Sequence, residues 1–141
     1  MTTTRPQDSQ NNDSMTAQQR LMKISQDIAA LSEQVNIIAV SKTFSPEAIA
    51  PVLAVGHRVF GENRVQEAAE KWPNLKASYP DVELHLIGAL QSNKAAQAVA
   101  LFDVVHSLDR IKLAHVLAAE MKRQNRQLKI LVQVNTGKED Q

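Results

Sequence analysis

The segment at residues 128–134, with the sequence LKILVQV, limits the possible folds of this chain more than any other feature. Its apolar residues are nearly continuous, which is typical of a parallel strand that is covered on both faces. Four shorter strand-like segments precede it, and amphipathic helical patterns lie between them. The sequence therefore predicts an α/β protein that is built from parallel strand–helix–strand units.

The predicted strands and helices alternate from residue 37 onward. The strands are predicted at residues 37–41, 58–61, 83–88, 103–106 and 129–134, and the helices near residues 46–55, 64–72, 92–101 and 110–125. A further helix is predicted after Thr16, which forms a capping-box pattern with Gln19. Residues 1–14 are mainly Thr, Gln, Asn, Asp and Ser, so we predict a disordered tail there and one domain over residues 15–141.

Short-range patterns predict where several helices begin and end. Ser45 followed by Pro46 is typical of a helix start, and Gly56 is predicted to lie just past the end of that helix. Asn63 and Asp109 are predicted to cap two later helices with their side chains. Pro73 is predicted to end a helix at residue 72, because proline disfavours the helical conformation of the residue before it.

Two architectures fit this order of elements: an open doubly wound sheet, or part of a (β/α)8 barrel. Five units suffice for an open sheet, whereas a closed eight-stranded barrel typically takes about 250 residues. Residues 135–141 follow a predicted core strand directly, and no helix follows to cover that strand. We therefore predict that the sequence is C-terminally truncated.

The composition argues against several classes of function. The chain has 16 basic and 15 acidic residues and only 4% aromatic residues, so neither a broad basic surface nor a base-stacking platform for nucleic acid is indicated. The absence of cysteine excludes disulfides, thiol catalysis and cysteine-based metal sites. No apolar segment approaches the roughly 20 residues that a membrane helix needs. These observations predict a cytoplasmic protein that binds neither membrane nor nucleic acid.

Lys42 is the most informative polar residue, because it directly follows the first predicted strand, at the edge where α/β folds bind ligands. Alternate residues of a strand share a face, so Lys42 should point the same way as Ile38 and Val40. Desolvation at such a position favours the neutral amine, which can attack an aldehyde and form a Schiff base. The alternative is a lysine that extends into solvent, and position alone favours that alternative.

The other motifs exclude some classes of site but do not identify a ligand. Asn63 follows the second strand and could bind a ligand or cap the next helix. The four histidines lack the spacing of a helical zinc motif, although His85 and His106, on different strands, could meet in the fold. The usual glycine-rich nucleotide loops and the nucleophile elbow of hydrolases are also absent.

Five segments together resemble the pyridoxal phosphate homeostasis family, also called the YggS or PROSC family. They are IIAVSKTFSPEAI at 37–49, FGENRVQEAAEKW at 60–72, HLIGALQSNK at 85–94, VHSLDR at 105–110 and ILVQVNTGKE at 130–139. Each segment is a weak indication alone, but the set, in this order and spacing, is specific. It covers nearly everything after the N-terminal helix.

The resemblance implies a fold and a cofactor. The fold is a (β/α)8 barrel of the alanine racemase N-terminal domain type, of which about five β/α units are present here. Pyridoxal 5′-phosphate would be held as a Schiff base on Lys42, and Val40, Asn63 and Ile87 would line its pocket. Family members have no robust catalytic turnover, PLP-dependent apoenzymes are candidate recipients of the cofactor, and the full-length protein is expected to be a monomer. The strands that carry the phosphate-binding loop in the family would be missing.

Two other hypotheses remain open at this point. The chain could belong to a racemase-like enzyme that uses the same barrel and a Schiff-base lysine. It could also be a truncated product without activity of its own, or an association module that uses its exposed sheet edge.

Overall fold

The chain forms a five-stranded parallel sheet that is flanked by helices, as described for residues 14–140 in a computed structural model. The strands are β1 (Ala39–Val40), β2 (Val59–Glu62), β3 (Glu83–Leu86), β4 (Val104–Leu108) and β5 (Lys129–Val132). The helices are α1 (Ala17–Leu31), α2 (Pro46–Ala54), α3 (Val65–Ser78), α4 (Ala95–Leu101) and α5 (Ile111–Gln124), with a 3₁₀ turn at Ser92–Lys94 before α4. The predicted tail lies outside the described residues except for Ser14.

The strands lie side by side in the order in which they occur along the chain, β1-β2-β3-β4-β5. All four pairings are parallel, and each consecutive pair is joined by a helix. Parallel crossovers are almost always right-handed, so an order that never reverses places every connecting helix on the same face of the sheet. A doubly wound sheet requires a reversal of strand order. The topology therefore confirms the prediction of a partial (β/α)8 barrel and excludes the open doubly wound alternative.

The hydrophobic core lies between the sheet and these helices. Phe60, Leu84, Leu86 and Val105 contribute the strand side, and none of them is more than 1% exposed. The helices contribute Leu53, Trp72, Val99, Leu113 and Leu117, among others. We call this surface of the sheet the helix face, and the opposite surface, which points to the centre of a barrel, the inner face.

Several local predictions are confirmed. Thr16 and Gln19 form the reciprocal hydrogen bonds of a capping box at the start of α1. The Ser45 hydroxyl accepts a hydrogen bond from the Ala48 amide, and Pro46 is the first residue of α2. Gly56 lies just past the end of α2 with φ of +100°, a conformation that residues with a side chain rarely adopt.

The predicted end of α3 at residue 72 is wrong, because the helix continues through Pro73 to Ser78. Proline removes one backbone hydrogen bond, but tertiary contacts on both sides of it keep the chain helical. Trp72 is fully buried, and the Lys76 ammonium bonds the Leu101 carbonyl oxygen at 3.0 Å.

The predicted caps of α3 and α5 are also wrong. Arg64 and Arg110 occupy the cap positions, and neither makes a side-chain capping bond. Asn63 lies one residue before the cap position of α3, and the Asp109 carboxylate bonds Arg110 instead. β1 is shorter than the predicted strand at 37–41, with only Ala39 and Val40 paired to β2. Among residues 14–140, no helix is long and apolar enough to cross a membrane.

Candidate functional site

Three of the four predicted site residues, Val40, Asn63 and Ile87, lie on the inner face near the carboxyl ends of the strands, and the fourth, Lys42, lies in the turn that follows β1. The pairing register aligns one residue from each of four strands: Val40, Gly61, His85 and Val104. Because the next residue on the same face lies two positions further along a strand, the row nearer the strand ends contains Asn63, Ile87 and His106. Lys42 occupies the corresponding position after Val40 and is the first residue past the last bond of β1 to β2, from the Ser41 amide to the Gly61 carbonyl oxygen. The sheet thus brings together residues that are far apart in sequence.

Lys42 is less buried than the sequence predicts. Lys42 is exposed, and Val40 is 47% exposed, while Asn63 and Ile87 are half-buried. Among residues 14–140, the helices that connect the strands lie on the helix face, and the lysine side chain is in contact with water. The desolvation that its position predicts is therefore not found in this chain.

Close packing between the strands builds an apolar surface under this row. A side chain at Gly61 would place its Cβ 3.0 Å from Ile38 Cγ2 and 3.2 Å from Ile87 Cδ1, so the two isoleucines converge over the glycine. At Gly88, a Cβ would lie 2.2 Å from the carbonyl oxygen of Asn63. Only glycine permits this approach of two backbones, and the approach places Asn63 directly beside the end of β3.

Lys42 lies in a tight turn, residues 41–44, that immediately follows β1. The Phe44 amide donates to the Ser41 carbonyl oxygen at 3.2 Å, which closes the turn. Thr43 has φ of +67°, a left-handed conformation that is uncommon for any residue with a side chain and more so for a β-branched one. Such a conformation persists only where surrounding contacts impose it.

A buried polar cluster imposes those contacts from below. Lys71, on α3, donates to the carbonyl oxygens of Ser41 and Phe44 at 2.9 and 3.1 Å. Its ammonium also pairs with Glu62 Oε1 at 2.7 Å. The same carboxylate oxygen accepts from Ser41 Oγ and Trp72 Nε1, both at 2.8 Å. Glu62 is completely buried and Lys71 is 7% exposed.

Glu67 holds the turn at a third point, through a hydrogen bond from the Thr43 amide to its carboxylate. The same carboxylate contacts Lys71 Nζ at 3.1 Å. Burial raises the pKa of Glu67, but these two contacts outweigh burial and hold the pKa below its usual value. The ionised carboxylate is therefore the form that binds the turn.

The sequence interpretation did not identify Glu62, Lys71 or Glu67 as a group. Glu67 and Lys71 are four residues apart on a helix, a spacing that is typical of a solvent-exposed ion pair. The burial of Lys71 depends on where α3 packs, which no local pattern specifies. The only sequence indication of a buried polar cluster is Glu62, an acidic residue that directly follows the strand residues Val59, Phe60 and Gly61.

His85 and His106, which could meet only in the fold, are in contact. His85 Nδ1 lies 2.7 Å from His106 Nε2, and His85 Nε2 lies 2.7 Å from Glu83 Oε1. Burial, and next the proximity of His85, lower the pKa of His106. The three side chains form a hydrogen-bonded chain that ends at His106, in the row of Asn63 and Ile87. Among residues 14–140, no three acidic or histidine side chains converge as metal ligands would.

Known proteins with similar sequences point to one family. The alanine racemase N-terminal domain family matches residues 17–139. Relatives named pyridoxal phosphate homeostasis protein occur in Vibrio alginolyticus, with 42% identity over 109 residues, and in Vibrio cholerae, with 39% identity over 132 residues. These alignments cover 76% and 92% of this chain but 47% and 55% of the relatives, so the chain spans about half the length of the curated relatives it matches.

Two solved structures of PipY from Synechococcus elongatus are similar in fold. The structure without PLP has a TM-score of 0.71 and 44% identity, and covers 80% of this chain and 54% of PipY. The structure with PLP bound has a TM-score of 0.70 and 42% identity, and covers 80% of this chain and 55% of PipY. These relatives confirm the resemblance that the five sequence segments indicated, and the chain belongs to the alanine racemase N-terminal domain family.

Proposed function

We propose that this protein binds pyridoxal 5′-phosphate through Lys42 and takes part in the homeostasis of that cofactor. The observation that supports the proposal is the place of Lys42 in the turn at the carboxyl end of β1, next along the sheet to the strand ends that carry Asn63 and Ile87. The PLP-bound state of PipY and the names of the curated relatives support the same assignment.

The residues present fit this cofactor in three respects. Lys42 supplies a primary amine that is open to solvent, and Ile38 and Ile87 supply an apolar surface against which a flat ring can pack. Asn63, half-buried beside them, supplies an amide that can donate or accept a hydrogen bond. Condensation of an amine with the cofactor's aldehyde releases one water and leaves a C=N bond.

A role without turnover agrees best with these groups. Val40, Asn63 and Ile87 can hold a ligand but carry no acid or base, and the amine of Lys42 would be occupied by the cofactor. We propose a cytoplasmic protein that retains the cofactor and releases it to PLP-dependent apoenzymes, and that is a monomer at full length.

The test is a titration of the 141-residue chain with pyridoxal 5′-phosphate, followed by borohydride reduction and peptide mapping. We expect a new absorbance band and one covalent label, on Lys42, and the loss of both in Lys42→Ala. Lys122→Ala is the matched control, since Lys122 is an exposed lysine near the far end of α5 and should leave labelling unchanged. Labelling that survives in Lys42→Ala, or that is spread over several lysines, would contradict the proposal.

A second function is supported by one further observation. His106 lies in the row of Asn63 and Ile87, and its contact with His85 and Glu83 provides a group that could move a proton. With the match to the alanine racemase domain, this favours weak proton exchange at the α-carbon of an amino acid. Incubation with amino acids and the cofactor in deuterium oxide tests it: His106-dependent deuterium incorporation supports the enzyme, and no incorporation supports the carrier.

A further inference from the structure

The turn that carries Lys42 is held more firmly than a short surface turn requires. Its backbone carbonyl oxygens at Ser41 and Phe44 both accept from Lys71, and the Thr43 amide is bound by Glu67. The residues on both sides of Lys42 are therefore fixed, while Lys42 itself makes none of these bonds.

The buried pair beneath the turn is costly to maintain. Glu62 and Lys71 are both removed from water, and a buried ion pair gives little or no net gain over apolar side chains of similar size. Stability alone therefore does not account for charges at this place. Geometry does, because one ammonium reaches two backbone carbonyl oxygens and two carboxylates at the same time.

We propose that Glu62 and Lys71 are positioning residues that lock the 41–44 turn and thereby direct Lys42 toward the inner face. The inference rests on the proposed function, because Lys42 is taken as the attachment point of the cofactor. Lys71 binds the turn directly, and Glu62 fixes Lys71 while it also holds Ser41 Oγ and Trp72 Nε1. The left-handed Thr43 is then the strained conformation that this lock sustains.

The lock matters because the rest of the Lys42 side chain is free. An exposed lysine has four rotatable bonds, so only its backbone determines which part of the inner face the amine can reach. A turn that is loose before attachment must be ordered when the cofactor binds, and that ordering costs conformational entropy. Release of the turn should therefore weaken retention of the cofactor at Lys42, even though no contact to the cofactor itself is removed.

Lys76 provides a matched control on the same helix. It is partly buried, and its ammonium bonds one backbone carbonyl oxygen, that of Leu101, and one carboxylate, that of Asp103, both at 3.0 Å. Lys71→Met and Lys76→Met thus remove the same kind of interaction from α3. Only the first removes it from the turn that carries Lys42.

Two measurements on the 141-residue chain separate the variants. In the absence of cofactor, Lys71→Met should accelerate amide hydrogen exchange at Thr43 and Phe44, and Lys76→Met should leave these two amides unchanged. With pyridoxal 5′-phosphate, Lys71→Met should raise the apparent Kd at least tenfold and reduce the reduced label on Lys42, whereas Lys76→Met should stay within twofold of the parent chain. An equal loss in both variants, or unchanged retention in Lys71→Met despite fast exchange at Thr43, would overturn the inference.

Glu62→Gln is the second variant, and it decides the matter if Lys71→Met does not fold. Within residues 14–140, Glu62 Oε2 has no hydrogen-bond partner, so the amide can keep the acceptor for Ser41 and Trp72 while the charge is lost. We expect faster exchange at Thr43 and a severalfold higher Kd, and parent-like values for both would overturn the lock. Absence of a label on Lys42 in the parent chain would instead contradict the proposed function, and the exchange data would still test the lock.

Discussion

The helix face and the inner face of the sheet differ in how far their side chains are buried. On the helix face, Phe60 and Leu84 are at most 1% exposed, and Ser41 and Glu62 lie in a closed set of hydrogen bonds. On the inner face, Val40 and Leu131 are 47% and 46% exposed, and Lys42 reaches solvent. Most of the buried apolar contacts that stabilise the fold therefore lie on the helix face, while the groups suited to ligand binding lie on the inner face or in the turn beside it.

The largest expected effect tests this division directly. Leu84→Ala should lower the free energy of unfolding by about 2–5 kcal/mol, because it opens a cavity in the layer between sheet and helices. Val40→Ala removes a half-exposed side chain from the inner face and should cost about 1 kcal/mol or less. Urea denaturation of both variants measures the contrast, and equal losses would contradict it.

A smaller effect is expected where the two strands approach most closely. Gly88→Ala would place a Cβ 2.2 Å from the Asn63 carbonyl oxygen, so one backbone must shift, at a cost of about 1–3 kcal/mol. Gly137→Ala is the control, since its nearest neighbours are side-chain atoms of Glu139 at 3.5 Å or more. Denaturation should separate the two variants, and cofactor retention should fall only in Gly88→Ala, because Asn63 moves.

The smallest expected effect concerns pH and the inner face. Burial, and next the proximity of His85, lower the pKa of His106, so below the usual value of 6.5 the unfolded chain binds more protons than the folded chain. The free energy of unfolding should therefore fall as the pH drops from about 6.5 toward the lower pKa of the folded state. The groups that face His106 directly or through His85 are His85 and Glu83, and Lys129 lies 3.9 Å from Glu83.

Denaturation at a series of pH values checks this expectation. His106→Gln should flatten the dependence in that interval, because no proton can then bind at this position. His115→Gln is the control, since His115 is exposed on α5. A parent-like slope in His106→Gln would show that another group is responsible.

The sequence predicted the strands and most of the helix face because both depend on short-range patterns, whereas the site residues Val40, Asn63 and Ile87 came from the family resemblance and stay a prediction. Short apolar segments located all five strands, and residue parity predicted one face for Ile38 and Val40 before the pairing was known. The pairing register was needed to show that the strand ends carrying Asn63 and Ile87 follow β1 in the sheet.

The errors have one physical cause, which is that tertiary contacts outweigh local preference. Pro73 lies within α3 because Trp72 and Lys76 anchor the helix on either side of it. Lys71 is buried because its ammonium contacts the Glu62 carboxylate and the carbonyl oxygens of Ser41 and Phe44. The contact between His85 and His106 depends on the alignment of β3 with β4, which the spacing of the two histidines does not reveal.

The unreversed order of the strands has a consequence for synthesis. Each strand pairs with the strand that precedes it in the chain. During synthesis, the partner of every new strand has therefore already left the ribosome. The contacts that matter stay close in sequence, which favours fast folding for a parallel sheet. The growing edge is also the most vulnerable place, because the newest strand presents unpaired amides and carbonyl groups until the next one covers it.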